Sequence, residues 1–314
     1  MNKLTAIIPF LNEGSEIERT LASIRETAGE CVDIILINDC SEDDTDYKAV
    51  AIQYGARYYY NAIRQGVARS RDIGVELCET PYFILFDGHM RFYYNHWWNE
   101  VTKVLDNNDR AAYCLRCFPL DGQFKIIDSP KSMGACINMD DNSGNSILDI
   151  QWRYMDAIPD ESLIPISCLI GACYAMSKRY WQYLKGLNGL RTYGCDEAYL
   201  SLKTWLEGGV CLLMKDIKVG HIFRQKAPYE IITQDFIYNK LLIAETVFPI
   251  ANKTKIFSEL HRSNPDVCDK AMMMLYENRQ LVSDLKNYYR QIFTRDISTF
   301  IQFDQSRETT NKFQ

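Results

Sequence analysis

Between Leu4 and Asp87 the chain alternates strand and helix three times. Leu4 to Leu11 is apolar up to Pro9 and then meets Asn12-Glu13-Gly14. Ser15 followed by Glu18 has the spacing of a capping box, and Ile17, Leu21 and Ile24 recur at helical period. Val32 to Ile37 is a second apolar run, closed by Asn38-Asp39-Cys40-Ser41. Ser41-Glu42-Asp43-Asp44 then suits a helix start, where negative charge is favoured. Arg57 to Asn61 reads as a third strand. Gly66 to Cys78 reads as a helix with Val67, Ser70, Ile73, Gly74 and Leu77 facing inward. Tyr82 to Phe86 is the fourth strand and runs straight into Asp87-Gly88-His89. Short apolar runs without helical period are strands buried on both faces. Their alternation with helices predicts an α/β fold with a mostly parallel, doubly wound central sheet. No Gly-x-Gly-x-x-Gly follows the first strand and no P-loop sequence occurs, which disfavours a dinucleotide-binding domain and a P-loop nucleotidase.

In such sheets ligands sit at the carboxyl ends of the strands, where Asp39 and Asp87 stand. Residues i and i+2 of an extended chain share a side, so Asp87 and His89 can hold one cation together. Gly88 between them leaves room for a close approach. His221, in Gly220-His221-Ile222-Phe223-Arg224, is a third candidate ligand. Mixed oxygen and nitrogen ligands suit Mn²⁺ better than Ca²⁺, with Zn²⁺ also compatible. Arg64, Arg69 and Arg71 cluster at the start of the third helix, and a divalent ion beside arginines is the usual way to neutralise a pyrophosphate. Asp39 can accept hydrogen bonds from a base or a ribose. Asp196 and Glu197, at a helix start, can bind sugar hydroxyls or act as a base.

The net charge of −6 argues against a broad nucleic-acid surface. The eleven cysteines are scattered; Cys114 and Cys117 have the spacing of half a zinc knuckle, but no second half follows, so they read as buried free thiols of a reducing compartment. The amino terminus enters a strand without a signal-peptide core, and no run of about 18 apolar residues exists to span a membrane. Farther along, Asn95 to Leu105 reads as a helix and Ala111 to Phe118 as a strand. Leu120 to Asp149 reads as a long loop with a hairpin around Met139 to Gly144. Ile166 to Met176 is apolar and broken by Gly171 and Ala172, which permit a ligand to come close. Lys178 to Leu184 is a short helix, and Tyr193-Gly194-Cys195-Asp196-Glu197 opens another. Val210 to Met214 and Ile217 to Phe223 read as two strands. From Pro228 the texture changes to helices over Ile231 to Val247 and Val267 to Phe293, with a polar tail from Ser306. The expected division is a catalytic domain over 1–230 and a helical extension over 231–314.

Ile8-Pro9-Phe10-Leu11-Asn12-Glu13, Leu36-Ile37-Asn38-Asp39-Cys40-Ser41 and Phe86-Asp87-Gly88-His89 together resemble a family 2 glycosyltransferase with the GT-A fold. The segments Gly171 to Tyr180, Tyr193 to Glu197 and Gly220 to Tyr229 bring the likeness closer to the catalytic domain of polypeptide N-acetylgalactosaminyltransferases. The resemblance covers roughly residues 4–230. It implies metal-dependent transfer of a sugar from a UDP-sugar, with Mn²⁺, or Mg²⁺ in its place, on Asp87, His89 and His221. It implies a nucleotide-sugar pocket formed by Pro9, Leu11, Glu13, Asp39, Arg64, Gly66, Arg71, Asp87, Gly88, Gly171, Ala172, Tyr193, Arg224 and Tyr229. Asp196 falls where that family has a glutamate holding the donor sugar. Five positions depart from the family: Asn38 replaces an acid, Gly88 a serine, Tyr193 a tryptophan, and Asp196-Glu197 a Glu-Asn pair. The donor sugar and the acceptor (peptide, glycan or lipid-linked glycan) are therefore left open, as is retention or inversion. An inverting enzyme needs a base, for which Asp196 and Glu197 are the candidates. The alternative is a catalytically degenerate module that binds a nucleotide-sugar or glycan. A nucleotidyltransferase would carry a Gly-rich, basic signature where this chain has Pro9 to Glu13. The expected setting is the bacterial cytoplasm, free or at the inner membrane face, with the helices after 230 available for a homodimer.

Overall fold

The structure is a computed structural model that describes residues 2–127, 132–139, 146–154, 159–224 and 228–306. Strand β1 (Leu4–Phe10) is buried along its whole length, as a strand covered on both faces must be. It pairs in parallel with β2 (Asp33–Asn38) on one side and β4 (Tyr82–Phe86) on the other, and β3 (Arg57–Tyr60) adds to β2. Between them run α1 (Glu16–Ala28), α2 (Tyr47–Gln53) and α3 (Val67–Leu77), and α3 packs on β1 and β2.

Beyond β4 the sheet becomes mixed. After β5 (Met90–Phe92) and α4 (Trp97–Asn107) come β6 (Ala111–Pro119), β7 (Ser132–Ile137), β8 (Ile150–Tyr154), β9 (Leu163–Ile166), β10 (Cys173–Ser177), α5 (Lys178–Tyr183), α6 (Asp196–Leu206) and β11 (Val210–His221). The sheet order is β3-β2-β1-β4-β10-β6-β11-β5, with β9 also on β11. β10 runs antiparallel to β4 and β6, and β11 is parallel to β6 but antiparallel to β5 and β9. The parallel reading thus holds for β3-β2-β1-β4, where short strand–helix crossovers force it, and again for β6 with β11, while β10, β5 and β9 run antiparallel to their neighbours. The helices α7 (Thr233–Val247), α8 (Ile250–Ser263), α9 (Pro265–Glu277), α10 (Arg279–Ile292) and α11 (Ile297–Ser306) complete the chain. None of the described helices is long and apolar enough to cross a membrane.

Several local expectations change. Ser15 stands at the start of α1 with helical backbone angles and makes no side-chain cap; a backbone turn from Glu16 N–H to the Glu13 carbonyl closes that end instead. α2 begins at Tyr47, not at Ser41: Asp46 caps it by accepting the Ala49 N–H, while Asp43 accepts the Tyr47 hydroxyl. β7, in the long loop, pairs with β8 just beyond it, so the two arms flank the hairpin expected around Met139 to Gly144, of which residues 140–144 fall outside the described residues. The two late strands are one, β11, with a register shift against β6 between Met214 and Lys218. The last long helix is two, α9 and α10, which meet at Asn278. Cys114 and Cys117 are free and buried, and burial raises both thiol pKa values. The tail beyond Ser306 lies outside the described residues.

Candidate functional site

The carboxyl ends of β1, β2 and β4 open onto a cleft of about 520 Å³. All eighteen residues named from the sequence as ligand or metal contacts border it. Five carboxylates (Glu13, Asp39, Asp87, Asp196 and Glu197) face three arginines (Arg64, Arg71 and Arg224) around its wall. Arg69 does not reach it: that side chain points outward from α3 and pairs with Glu76.

One end is built on Asp39, which is buried just past β2. Its Oδ1 accepts the Asn61 side-chain amide and the Gln65 backbone N–H, each at 2.8 Å, and its Oδ2 accepts the Gly66 N–H at 2.8 Å. Neutral donors thus hold the carboxylate while leaving lone-pair capacity toward the cleft. Gly66 has φ +88°, and a Cβ there would lie 2.2 Å from the Thr192 Cα. The next residue, Val67, donates its N–H to the Thr192 carbonyl at 2.8 Å, so the start of α3 and the segment before α6 are locked together. Arg64 reaches the Glu230 carbonyl at 3.0 Å and lies over the Tyr229 ring.

The centre holds Asp87, His89 and His221, whose ligand atoms all lie within 4.8 Å of one another. β4 delivers Asp87 and the end of β11 delivers His221; His221 Nε2 is 3.2 Å from Asp87 Oδ2. The two imidazole rings are 4.7 Å apart. Burial alone would raise the Asp87 pKa, but His221, His89 and Arg71 outweigh it and hold the carboxylate below its ordinary range. Burial lowers the His221 pKa. An ionised carboxylate beside neutral imidazole is the protonation state that metal ligands require. The buried Nδ1 of His221 has no hydrogen-bond partner among the described residues, so this donor set fits a shared divalent cation.

His89 Nδ1 turns toward Glu13, 3.2 Å away. Glu13 also accepts from both terminal guanidinium nitrogens of Arg224, Nη1 at 3.1 Å and Nη2 closer. Burial would raise the Glu13 pKa; His89 and Arg224 override it and lower it. A Cβ on Gly88 would stand 2.9 Å from the side chains of Glu13 and Ile17, so α1 occupies the space that the missing side chain leaves.

The floor is Arg71, buried on α3. It bonds Asp196 in a close ion pair, donates to the Gly171 carbonyl at 3.1 Å, approaches Asp87 at 3.5 Å and lies over the Tyr174 ring. Asp196 is therefore committed to a guanidinium. Glu197 lies against Gly171, where a Cβ would meet its Oε1 at 1.5 Å, and burial raises its pKa. Ala172 accepts the Asp87 N–H at 3.1 Å, which ties this floor to the central carboxylate. Tyr193 and Tyr229 face each other 6.0 Å apart at the rim. Residues 225–227 of the motif that ends at Tyr229 lie outside the described residues.

Sequence reading passed over Asn61, Thr192 and Trp152. Asn61 stands at the carboxyl end of β3, the same kind of position that singled out Asp39 and Asp87. Thr192 contributes backbone, which no side-chain pattern announces. Trp152 lies on β8 and packs against Phe223, which in turn packs edge-on against His221.

The description of glycosyl transferase family 2 matches residues 5–181. Polypeptide N-acetylgalactosaminyltransferase 4 of Caenorhabditis elegans is 24% identical over 241 residues, covering 73% of this chain and 40% of that protein. Its Mus musculus namesake is 26% identical over 262 residues, covering 77% and 43%. The chain thus spans about two fifths of the length of the curated relatives it matches. Among solved structures, GalNAc-T7 with UDP, GalNAc and Mn²⁺ superposes with a TM-score of 0.78 at 17% identity, covering 98% of this chain and 58% of that one. Staphylococcus aureus TarS 1–349 in complex with UDP-GlcNAc gives 0.53 at 13% identity, covering 98% and 88%. These likenesses show the fold to be GT-A, with helices after the sheet. With more than half of its length matched, from β1 into α5, this chain belongs to glycosyl transferase family 2.

Proposed function

We propose that the chain transfers a sugar from a UDP-sugar to an acceptor of the peptide, glycan or lipid-linked glycan class, with Mn²⁺ as the preferred cation. One observation carries the reading: the Asp87-His89-His221 cluster and the Asp39 collar open onto the same cleft at the strand ends. That combination suits a nucleoside at one end and a diphosphate in the middle. When bound, the cation neutralises charge on the leaving diphosphate. In this reading Asp39 accepts a hydrogen bond from the nucleoside. Arg224 exchanges Glu13 for a phosphate oxygen, a swap between two acceptors of the same guanidinium fork. Arg71 is oriented by Asp196 and lines the floor beneath the sugar. Glu197, with its raised pKa, contacts the donor sugar or takes the acceptor proton.

The test is a calorimetric titration with UDP and with GDP, each with Mn²⁺ and with EDTA, on wild type and His89→Ala. The expected result is UDP binding that needs Mn²⁺ and weakens by about tenfold or more in the variant. No binding of either nucleotide in the presence of metal would overturn the assignment. A panel of UDP-sugars then identifies the donor.

A further inference from the structure

The segment 191–194 carries Thr192, which backs Gly66, and Tyr193, which borders the cleft; Asp196 and Glu197 follow at once. Its backbone is unusual. Gly194 has φ +91° and Cys195 has φ +69°, a left-handed conformation that costs a non-glycine residue stability unless its surroundings impose it. The imposing element is α7. Asn239, in the middle of that helix and fully buried, spends its whole amide on this one segment. Its Oδ1 accepts the Arg191 N–H at 2.7 Å; its Nδ2 donates to the carbonyls of Arg191 at 2.9 Å, Tyr193 at 3.2 Å and Gly194 at 3.0 Å. Asparagine is a poor residue for a helix interior, so its place here needs a reason beyond helix formation. Asp235, one turn earlier on the same face, accepts the Thr192 hydroxyl at 3.0 Å and lies 3.5 Å from Arg191. Phe236 between them packs against Gly194. Three neighbouring residues of one helix face thus grip four consecutive residues of the loop.

We infer that Asn239, supported by Asp235, is a positioning residue for the sugar end of the donor site, acting through segment 191–194. This deepens the function proposed above and rests on it. The first helix after the sheet then builds the site rather than merely covering it, although none of its residues borders the cleft.

The test compares wild type with Asn239→Asp, which keeps the size of the side chain but turns an acceptor toward three carbonyls. Two readouts are taken on the full chain with Mn²⁺. One is the ratio of affinities for a UDP-sugar and for UDP, using whichever of UDP-GlcNAc, UDP-GalNAc, UDP-glucose and UDP-galactose wild type binds tightest. The other is backbone hydrogen exchange across 191–197. The expected result is a ratio lowered by about tenfold or more. UDP affinity falls by less than UDP-sugar affinity, because, of this segment, only Thr192 backs Gly66 beside Asp39, and exchange quickens over 191–197. An unchanged ratio overturns the inference, whatever exchange shows. A lowered ratio without faster exchange there also overturns it, because the effect would not run through the segment. Should Asn239→Asp fail to fold, Asp235→Asn gives the same two readouts with a smaller expected change. A wild type that binds no UDP-sugar sinks the proposed function and this inference with it; a wild type that binds, with Asn239→Asp and Asp235→Asn binding equally well, sinks this inference alone.

Discussion

Glu13, Asp39, Asp87 and Asp196 all border the cleft, and each is already engaged by Arg224, by neutral donors, by His221 or by Arg71. Glu197 differs. Among the described residues it enters no ion pair, and burial raises its pKa. Its position depends on Gly171 having no side chain, since a Cβ would overlap its carboxylate. Gly171→Ala is therefore expected to displace Glu197 while leaving the Asp39 end untouched. UDP affinity should stay near wild type, and release of UDP from the UDP-sugar should fall by about 10²-fold, the usual effect of a misplacement near 1 Å. Wild-type turnover in this variant would show that the Glu197 carboxylate has no part in the chemistry. The sequence made Asp87, His89 and Asp39 legible because each ends an apolar strand. It could not show that Asp196 is held by Arg71, because that pairing joins α3 to α6 and no local pattern records it.

At the scale of elements, α3 connects the Asp39 end of the cleft to the floor: Gly66 at its start serves Asp39, and Arg71 one turn in serves Asp196 and Asp87. Gly66 has a positive φ and abuts backbone, which cannot rotate aside as a side chain does. Gly66→Ala should thus cost roughly 1–3 kcal/mol in urea denaturation and weaken UDP binding together. A loss of stability with UDP affinity intact would separate the collar from nucleotide recognition. β1, β2 and β4 are readable because parallel strands buried on both faces are continuous apolar runs, whereas β3 is a largely exposed edge strand. β11 reads as two because Lys215-Asp216 interrupts it where its register shifts. β7 and β8 form a two-stranded ribbon, bridged to the rest of the molecule at Ala135–Cys168, and lack such a run. The helix expected from Val267 begins two residues earlier, with Asn264 as its cap and Pro265 opening it, and the α9–α10 break at Asn278 has no glycine or proline to mark it.

At the scale of the molecule, the helices after the sheet are joined to it by buried polar groups as well as by apolar packing. Lys203 of α6 is fully buried; it donates to the carbonyls of Leu184 and Gly186 and lies 3.8 Å over the Tyr199 ring, whose hydroxyl is 3.0 Å from that of Tyr289 on α10. Burial lowers the Lys203 pKa to about 7, from the ordinary 10.5. The unfolded chain keeps this amine protonated up to about 10.5. Unfolding therefore takes up a proton between pH 7 and 10.5, and stability relative to Lys203→Met rises with pH across that window. Below pH 7 the full cost of burying the charge is present. Urea denaturation at pH 7 and pH 9 should show the difference moving in favour of wild type by about 2 kcal/mol. A difference independent of pH would mean that the carbonyls and the rings keep Lys203 charged. The sequence announced these helices but not their attachment, because a lysine at helical spacing reads as a solvated face.

The charges around the cleft also decide what it turns away. Five carboxylates face three arginines, and two of those arginines are already paired with carboxylates. Inorganic phosphate, abundant in any cell, meets a wall of its own sign and must displace Glu13 to reach Arg224. The charge balance of the pocket therefore disfavours a bare anion and favours a ligand that brings a cation with it.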